Sequence, residues 1–325
     1  MEYRILGQSG LRVSVMGLGT NALGGRAAED VSREIVLTAI DRGVTLIDTA
    51  NIYTGGQSES ILGRALEGRR HEVVLATKAG MAAGEGPYRR GASRRHLLAE
   101  VEASLRRLCT DYIDLFQVHA FDPATPLEET LRTLEDLVRS GKVRYVGASN
   151  YQAWQLMKAL AVSERRGWER YASVQPSYSL ADRTVEAELV PLCLDQQVGI
   201  IAYFPLAGGL LTGKYHANAA PPPDSRAAVN PRFGSRLLES QQNLDLAAEV
   251  AAVARSLEVS PAQVALAWLL ARPAVASAIA GATRPSQVME NLGALDVHLD
   301  PTTTARLDEA SRPFLRRRFM EPETP

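Results

Sequence analysis

A closed (β/α)₈ barrel, preceded by a β-hairpin and carrying one long loop after its seventh strand, is the fold class expected of this sequence. Three observations lead there. Apolar runs of strand length alternate with amphipathic runs of helical length along most of the chain. The count of such strands, from Val15–Leu18 to Val275–Ile279, is eight. A chain of 325 residues is long for one average domain, yet barrels of this kind occupy that length as a single unit, so residues 1–325 are read as one domain.

The elements follow in order. Tyr3–Leu6 and Leu11–Val13 flank the turn Gly7-Gln8-Ser9-Gly10 and read as a hairpin. From Asp30 the apolar positions Val31, Ile35, Ala39 and Ile40 recur at helical spacing, and Gly43 stops them. Strand 44–47, helix Ser58–Leu66, strand 73–77, helix Ser93–Leu108, strand 112–118, helix Pro126–Ser140 and strand Val143–Ala148 follow. Helix Tyr151–Arg166, strand Ser173–Gln175, helix Val185–Gln197 and strand Gly199–Phe204 complete the regular part. Leu206–Glu239 breaks the cadence with Gly208-Gly209, Pro221-Pro222-Pro223 and Gly234, and reads as a lid, because so long a connection is uncommon without a purpose. Helices Leu244–Leu257 and Ser260–Ala271 then lead to the last strand.

Composition narrows the function. With 46% hydrophobic and 22% charged residues the chain is of ordinary globular make-up, and a formal charge of −1 offers no global field for nucleic acid or an anionic membrane. No run approaches the length of a spanning helix, and MEYRILGQSG lacks the pattern of a signal peptide, so cytoplasm is expected. Cys109 and Cys193 show no CxxC spacing and read as inert packing residues; no histidine and acid set has metal-ligand spacing, so no metal is expected. His71, His96, His216 and His298 lie in polar contexts and read as surface residues.

The chemistry gathers at strand ends. Strand 44–47 gives way to Asp48, the next strand ends on Lys78, the third on His119, and Tyr53 hangs in the loop after the first. If these strands are parallel neighbours, all four side chains meet at one edge of the sheet, where barrels carry their active sites. Taken singly each has an ordinary reading: a turn acid, a loop aromatic, a solvated strand end, a core histidine. A competing motif is GLGTNALGG, Gly17–Gly25, which satisfies the loose dinucleotide fingerprint GxGxxA, with Asp48 as the ribose acid. Its context is poor, since Gly24-Gly25 stands where the phosphate-binding helix should begin.

Asp48, Tyr53, Lys78 and His119, in this order and at the ends of these elements, resemble the catalytic tetrad of the aldo-keto reductase superfamily, and the likeness runs through nearly the whole chain. The resemblance implies a barrel plugged at its bottom by the hairpin, and reduction of a small aldehyde or ketone by hydride from NADPH. Carbonyl reduction needs an acid for the developing alkoxide, and a free phenol is a sluggish one. Lys78 beside Tyr53 is therefore expected to lower its pKa, with Asp48 balancing the ammonium and His119 orienting the carbonyl.

The likeness also implies a cofactor cradle. Gly19, Thr20 and Asn21 follow the first barrel strand; Ser149, Asn150 and Gln175 would hold the carboxamide, with Tyr178 stacking on the nicotinamide. Phe204, Pro205, Leu206, Gly208, Leu210 and Lys214 would grip the pyrophosphate under the lid. In GATRPSQVMEN, Gly281, Thr283, Arg284, Gln287, Glu290 and Asn291 would take the adenosine end, Arg284 pairing with a 2′-phosphate, so NADPH is expected over NADH. Thr54 stands where the family commonly has Gly, and Ala120 and Ser179 also depart from its pattern. The alternative is a nicotinamide-binding regulatory subunit, since potassium channel β-subunits share this fold and tetrad. A homo-oligomer is compatible with the sequence, and the tail FLRRRFMEPETP reads as a mouth cover, a subunit contact or a solvated terminus.

Overall fold

Eight parallel strands close into a barrel in a computed structural model that describes residues 1–215, 219–223 and 225–320. The hairpin comes first, β1 (Tyr3–Ile5) paired antiparallel with β2 (Arg12–Ser14). The barrel strands are β3 (Met16–Gly19), β4 (Leu46–Asp48), β5 (Val74–Ala79), β6 (Ile113–Val118), β7 (Val143–Ser149), β8 (Tyr171–Gln175), β9 (Gly199–Ala202) and β10 (Val275–Gly281). They neighbour one another in chain order, and β10 closes on β3. An open doubly wound sheet, which the GxGxxA reading requires, is thereby ruled out: Gly17 and Gly19 lie inside β3, paired with Ile279 and Gly281.

Between the strands run α1 (Glu29–Asp41), α2 (Gln57–Ala65), α3 (Arg94–Arg107), α4 (Leu127–Arg139), α5 (Ala153–Arg166) and α6 (Leu189–Asp195). After β9 come α7 (Arg226–Val229), α8 (Pro231–Leu238), α9 (Gln241–Ser256) and α10 (Pro261–Leu270); after β10, α11 (Pro285–Leu292) and α12 (Pro301–Ala310). In α4 the buried Leu131, Leu134 and Leu137 lie three residues apart and face the barrel wall, while Arg132, Arg139 and Glu128 stay outside. Three apolar clusters result, one inside the barrel and two between barrel and helices. Leu6 and Val13 of the hairpin join Leu46, Ala76, Leu115, Ile201 and Ile279 in the inner one, so the hairpin fills the bottom of the barrel. Gly7 turns there at φ +59, with the Ala172 carbonyl too close for any Cβ.

Several local expectations shift. The helix expected over 185–197 is shorter, because Pro191 has no amide to give; a 3₁₀ turn at Thr184–Glu186 precedes a helix that starts at Leu189. The long segment after β9 is not a plain loop: it holds a 3₁₀ turn at Ala207–Thr212 and then α7 and α8, capped by the Ser225 and Asn230 side chains. Residues 216–218 and 224 of that segment, and with them His216, lie outside the described residues, as do 321–325 of the tail. Phe314 and Phe319 of the tail are buried, so this part is packed rather than solvated. His96 is also buried, at 1% exposure on the inner face of α3, which corrects its surface reading; Cys193 is buried but Cys109 is exposed. Among the described residues no helix is long and apolar enough to cross a membrane.

The helix that follows the Tyr53 turn is seated by one small residue. A Cβ at Gly63 of α2 would lie 2.6 Å from the Arg107 carbonyl oxygen at the end of α3. Gly63→Ala, which in an exposed helix adds roughly 1 kcal/mol of stability, is therefore expected to destabilise the protein by about 1–3 kcal/mol. Urea denaturation measures it, and a stabilised variant would contradict this close packing.

Candidate active site

Every strand of the barrel delivers its C-terminal end to one mouth. Asp48 is the last residue of β4, Lys78 the penultimate residue of β5, and His119 follows β6 directly. Tyr53 opens a 3₁₀ turn after β4 in which Thr54, Gly55 and Gly56 all have positive φ, and this tight turn brings the phenol back over the strand ends. Lys78 is fully buried; its Nζ donates to Asp48 Oδ2 at 2.6 Å, to the Thr49 carbonyl at 2.7 Å and to the Tyr53 hydroxyl at 3.4 Å. The other carboxylate oxygen of Asp48 accepts from the amides of Gln175 at 2.8 Å and Gln117 at 3.2 Å. Every polar atom of the pair thus has a partner, as a buried ion pair requires. Gln117 went unnoticed in the sequence; its place two residues before His119, on the same face of β6, was the available signal.

The surroundings of Tyr53 and Lys78 are fixed from behind. Glu59, fully buried at the start of α2, accepts from Thr77 Oγ1 and from Arg107 Nε, each at 2.6 Å, locking α2 to the residue next to Lys78. Asn51 donates to Glu100 of α3 at 2.8 Å, anchoring the chain just before Tyr53. The ring of His119 meets that of Tyr53 edge-on with centroids 6.1 Å apart, and its Nδ1 is buried with no hydrogen-bond partner among the described residues.

These contacts decide protonation. Burial alone would drive the Lys78 ammonium down and is the largest influence on it, but Asp48 and then Tyr53 outweigh it, and the pKa rises. Burial and then Lys78 depress His119 to about 3, so its imidazole is neutral at physiological pH. Tyr53 corrects the expectation of a lowered pKa. Burial raises it first, Lys78 lowers it, Asp48 raises it again, and the net shift is upward. The reason is burial: loss of water around the phenol outweighs the Lys78 ammonium, which lies 3.4 Å from the hydroxyl and only 2.6 Å from Asp48.

Above this floor opens a cavity of about 760 Å³, within the range of cofactor and ligand sites. Asp48, Tyr53 and His119 line it, with Lys78 sealed beneath. Of the residues that the family resemblance assigned to a cofactor, Gly19, Thr20, Asn21, Ser149, Asn150 and Gln175 line its inner part. Phe204, Pro205, Leu206, Gly208 and Lys214 line one wall, and Gly281, Thr283, Arg284, Gln287, Glu290 and Asn291 the outer end. Two do not reach it. Leu210 is buried in the core, and Tyr178, 1% exposed, packs edge-on against Trp268 and donates its hydroxyl to Glu186 at 2.9 Å. Tyr178 follows β8 after two residues that carry it outside the barrel wall. Tyr203, just past β9, does border the cavity, and its hydroxyl donates to Asn150 Oδ1 at 2.8 Å.

Sequence reading also missed Arg26 and Arg226. Both line the cavity with Lys214 and Arg284, and none of the four forms an ion pair among the described residues. Arg226 sits over the rings of Phe204 and Phe233, at 4.9 and 5.1 Å. Lys214 folds back on Gly209, where a Cβ would lie 2.8 Å from its Nζ, and burial followed by the charges of Arg26 and Arg284 lowers its pKa. Just before α11 the Thr283 amide donates to Gln287 Oε1 at 2.7 Å.

The description of the aldo/keto reductase family matches residues 15–312. An uncharacterized oxidoreductase of Bacillus subtilis (strain 168) is 39% identical over 321 residues, covering 95% of each chain. A versiconal hemiacetal acetate reductase of Aspergillus parasiticus is 35% identical over 335 residues, covering 95% of this chain and 96% of its own. A probable voltage-gated potassium channel subunit beta of Arabidopsis thaliana is 36% identical over 312 residues, covering 91% and 92%.

The buried pair makes a stability prediction. Lys78→Met leaves the Asp48 carboxylate buried without its cation and is expected to cost about 3–5 kcal/mol. Adding Asp48→Asn is expected to recover part of that loss, since both charges are then gone. Urea unfolding of the two variants measures this; a double variant less stable than Lys78→Met by the full cost of a second independent lesion would contradict it.

Proposed function

The chain belongs to the aldo/keto reductase family, and on that premise we propose that this oxidoreductase reduces small aldehydes or ketones to alcohols with NADPH as hydride donor and Tyr53 as the acid. One observation carries the reading: a half-buried phenol 3.4 Å from a buried ammonium, on the floor of a cavity also lined by four cations that form no ion pair among the described residues. Such cations suit a ligand carrying several phosphates. Lys214 and Arg226 would hold the pyrophosphate, and Arg284 a 2′-phosphate. Ser149, Asn150, Gln175 and Tyr203 would border the nicotinamide, which when bound supplies the hydride.

The chain's own residues do the rest. His119, neutral, offers a ring N–H to the substrate oxygen and fixes its direction. Tyr53 hands its proton to that oxygen as negative charge grows there. Lys78 stabilises the phenolate left behind, and Asp48, held by Gln117 and Gln175, keeps Lys78 charged throughout. Burial, acting against the pull of Lys78, raises the Tyr53 pKa, so the phenol holds a proton to donate. Two free cysteines and no disulfide among the described residues suit a reducing compartment, the cytoplasm. The second reading, a cofactor-sensing regulatory subunit, draws on the relatives named as channel β-subunits.

NADPH oxidation across a panel of small aldehydes, sugars and quinones tests the proposal. Tyr53→Phe is expected to lower turnover about 10²- to 10⁴-fold while leaving NADPH affinity nearly intact; lost binding with retained chemistry would overturn the assignment. A wild-type protein that binds NADPH yet turns over nothing in the panel would favour the regulatory reading. Arg284→Met is expected to weaken NADPH binding by about 10-fold or more and to leave NADH nearly unchanged. An equal loss for both would remove Arg284 from 2′-phosphate recognition.

A further inference from the structure

Directly after the acid stands a residue in a conformation it should avoid. Thr54 adopts φ 49, ψ 37, the left-handed region that a β-branched side chain rarely enters. Glycine would take this position without strain, and Gly55 and Gly56 do so at the next two. A strained non-glycine residue persists where surrounding contacts over-determine it, and these cluster at functional sites.

The contacts of Thr54 join two loops. Its Oγ1 accepts the Ser58 amide at 3.0 Å, and its one hydroxyl proton lies within reach of the Leu23 carbonyl at 3.0 Å and of the Tyr53 carbonyl at 2.7 Å. Its Cγ2 fills the space beside Gly25, where a Cβ would approach it to 2.9 Å. Ser58, so held, donates its own hydroxyl to Thr20, with the carbonyl and Oγ1 both at 2.9 Å. Leu23 and Gly25 belong to the turn that carries Arg26, and both Thr20 and Arg26 line the cavity. Thr54 itself does not.

We propose that Thr54 is a positioning residue whose hydroxyl couples the Thr20–Arg26 turn, at the anion-binding side of the cavity, to the placement of the Tyr53 phenol. Occupation of that turn by an anionic cofactor thereby steadies the acid, through Leu23 and Ser58. This rests on Tyr53 being the acid.

Thr54→Gly removes the hydroxyl at a position whose backbone glycine takes without strain, and its comparison with Thr54→Ser, which keeps the hydroxyl, separates this role from a merely structural one. In the full-length protein, NADPH affinity is read by fluorescence titration and hydride transfer by single-turnover absorbance with a substrate aldehyde. Thr54→Gly is expected to weaken NADPH binding about threefold or more and to slow hydride transfer about tenfold. Thr54→Ser, which keeps the hydroxyl, is expected to stay within about twofold of wild type in both. Unchanged binding and rate in Thr54→Gly, a change in only one of the two, or a Thr54→Ser as impaired as Thr54→Gly would each overturn the coupling. Tyr53→Phe run alongside tells the two failures apart. If it turns over like wild type, the acid assignment falls and the coupling with it; if it is inactive while Thr54→Gly behaves as wild type, only the coupling falls.

Discussion

An ammonium with no access to water sets the terms for the rest of this molecule. Lys78 is tolerable in the barrel's interior only because Asp48 lies 2.6 Å away and the Thr49 carbonyl 2.7 Å away, and Asp48 is tolerable only because Gln117 and Gln175 fill its other oxygen. These groups sit on β4, β5, β6 and β8. Such a set converges only when a parallel sheet curls round and brings all its carboxyl ends to one rim. The closed barrel is thus both the source of the site and the condition for its stability.

Charge is arranged in two tiers. At the floor the Lys78 cation and Asp48 anion balance, and burial above all raises the pKa of the Tyr53 phenol and keeps the His119 imidazole neutral. Around the cavity Arg26, Lys214, Arg226 and Arg284 gather without an ion pair among the described residues, and burial, then Arg26 and Arg284, lowers the pKa of Lys214. The balanced tier suits proton transfer, in which charge appears only as the reaction proceeds. The unbalanced tier suits a ligand that brings its own negative charge. Aromatic packing supports the second tier: Arg226 rests on Phe204 and Phe233, and both of those meet Phe319 of the tail edge-on. The C-terminal segment therefore acts as a prop for the cavity wall.

Much of this was legible in the sequence, and the exceptions have physical causes. The strands showed as apolar runs because each is buried on both faces, and the tetrad showed because each member ends a strand or begins a loop. Residue order past a strand end does not say which way a loop turns: Tyr178, after β8, packs against Trp268, while Tyr203, after β9, borders the cavity. The upward Tyr53 shift escapes the sequence, which names a neighbouring lysine but not how far the phenol is withdrawn from water, and burial is the larger influence. His96 looked polar in its string yet falls on the inner face of α3. Short α7 and α8 were hidden by prolines and glycines, although Ser225 and the Asn230-Pro231 pair are recognisable helix starts. Arg26 and Arg226 belong to no periodic pattern, and only the folded cavity brings them together.

The account turns on the Tyr53 phenol being held protonated beside Lys78 rather than ionised by it. Titration of the protein carrying ¹³C-labelled tyrosine, followed by NMR with Tyr53 assigned, measures this directly. The account predicts a midpoint for Tyr53 above that of free tyrosine; a midpoint displaced below it, with phenolate present near neutrality, would contradict the account.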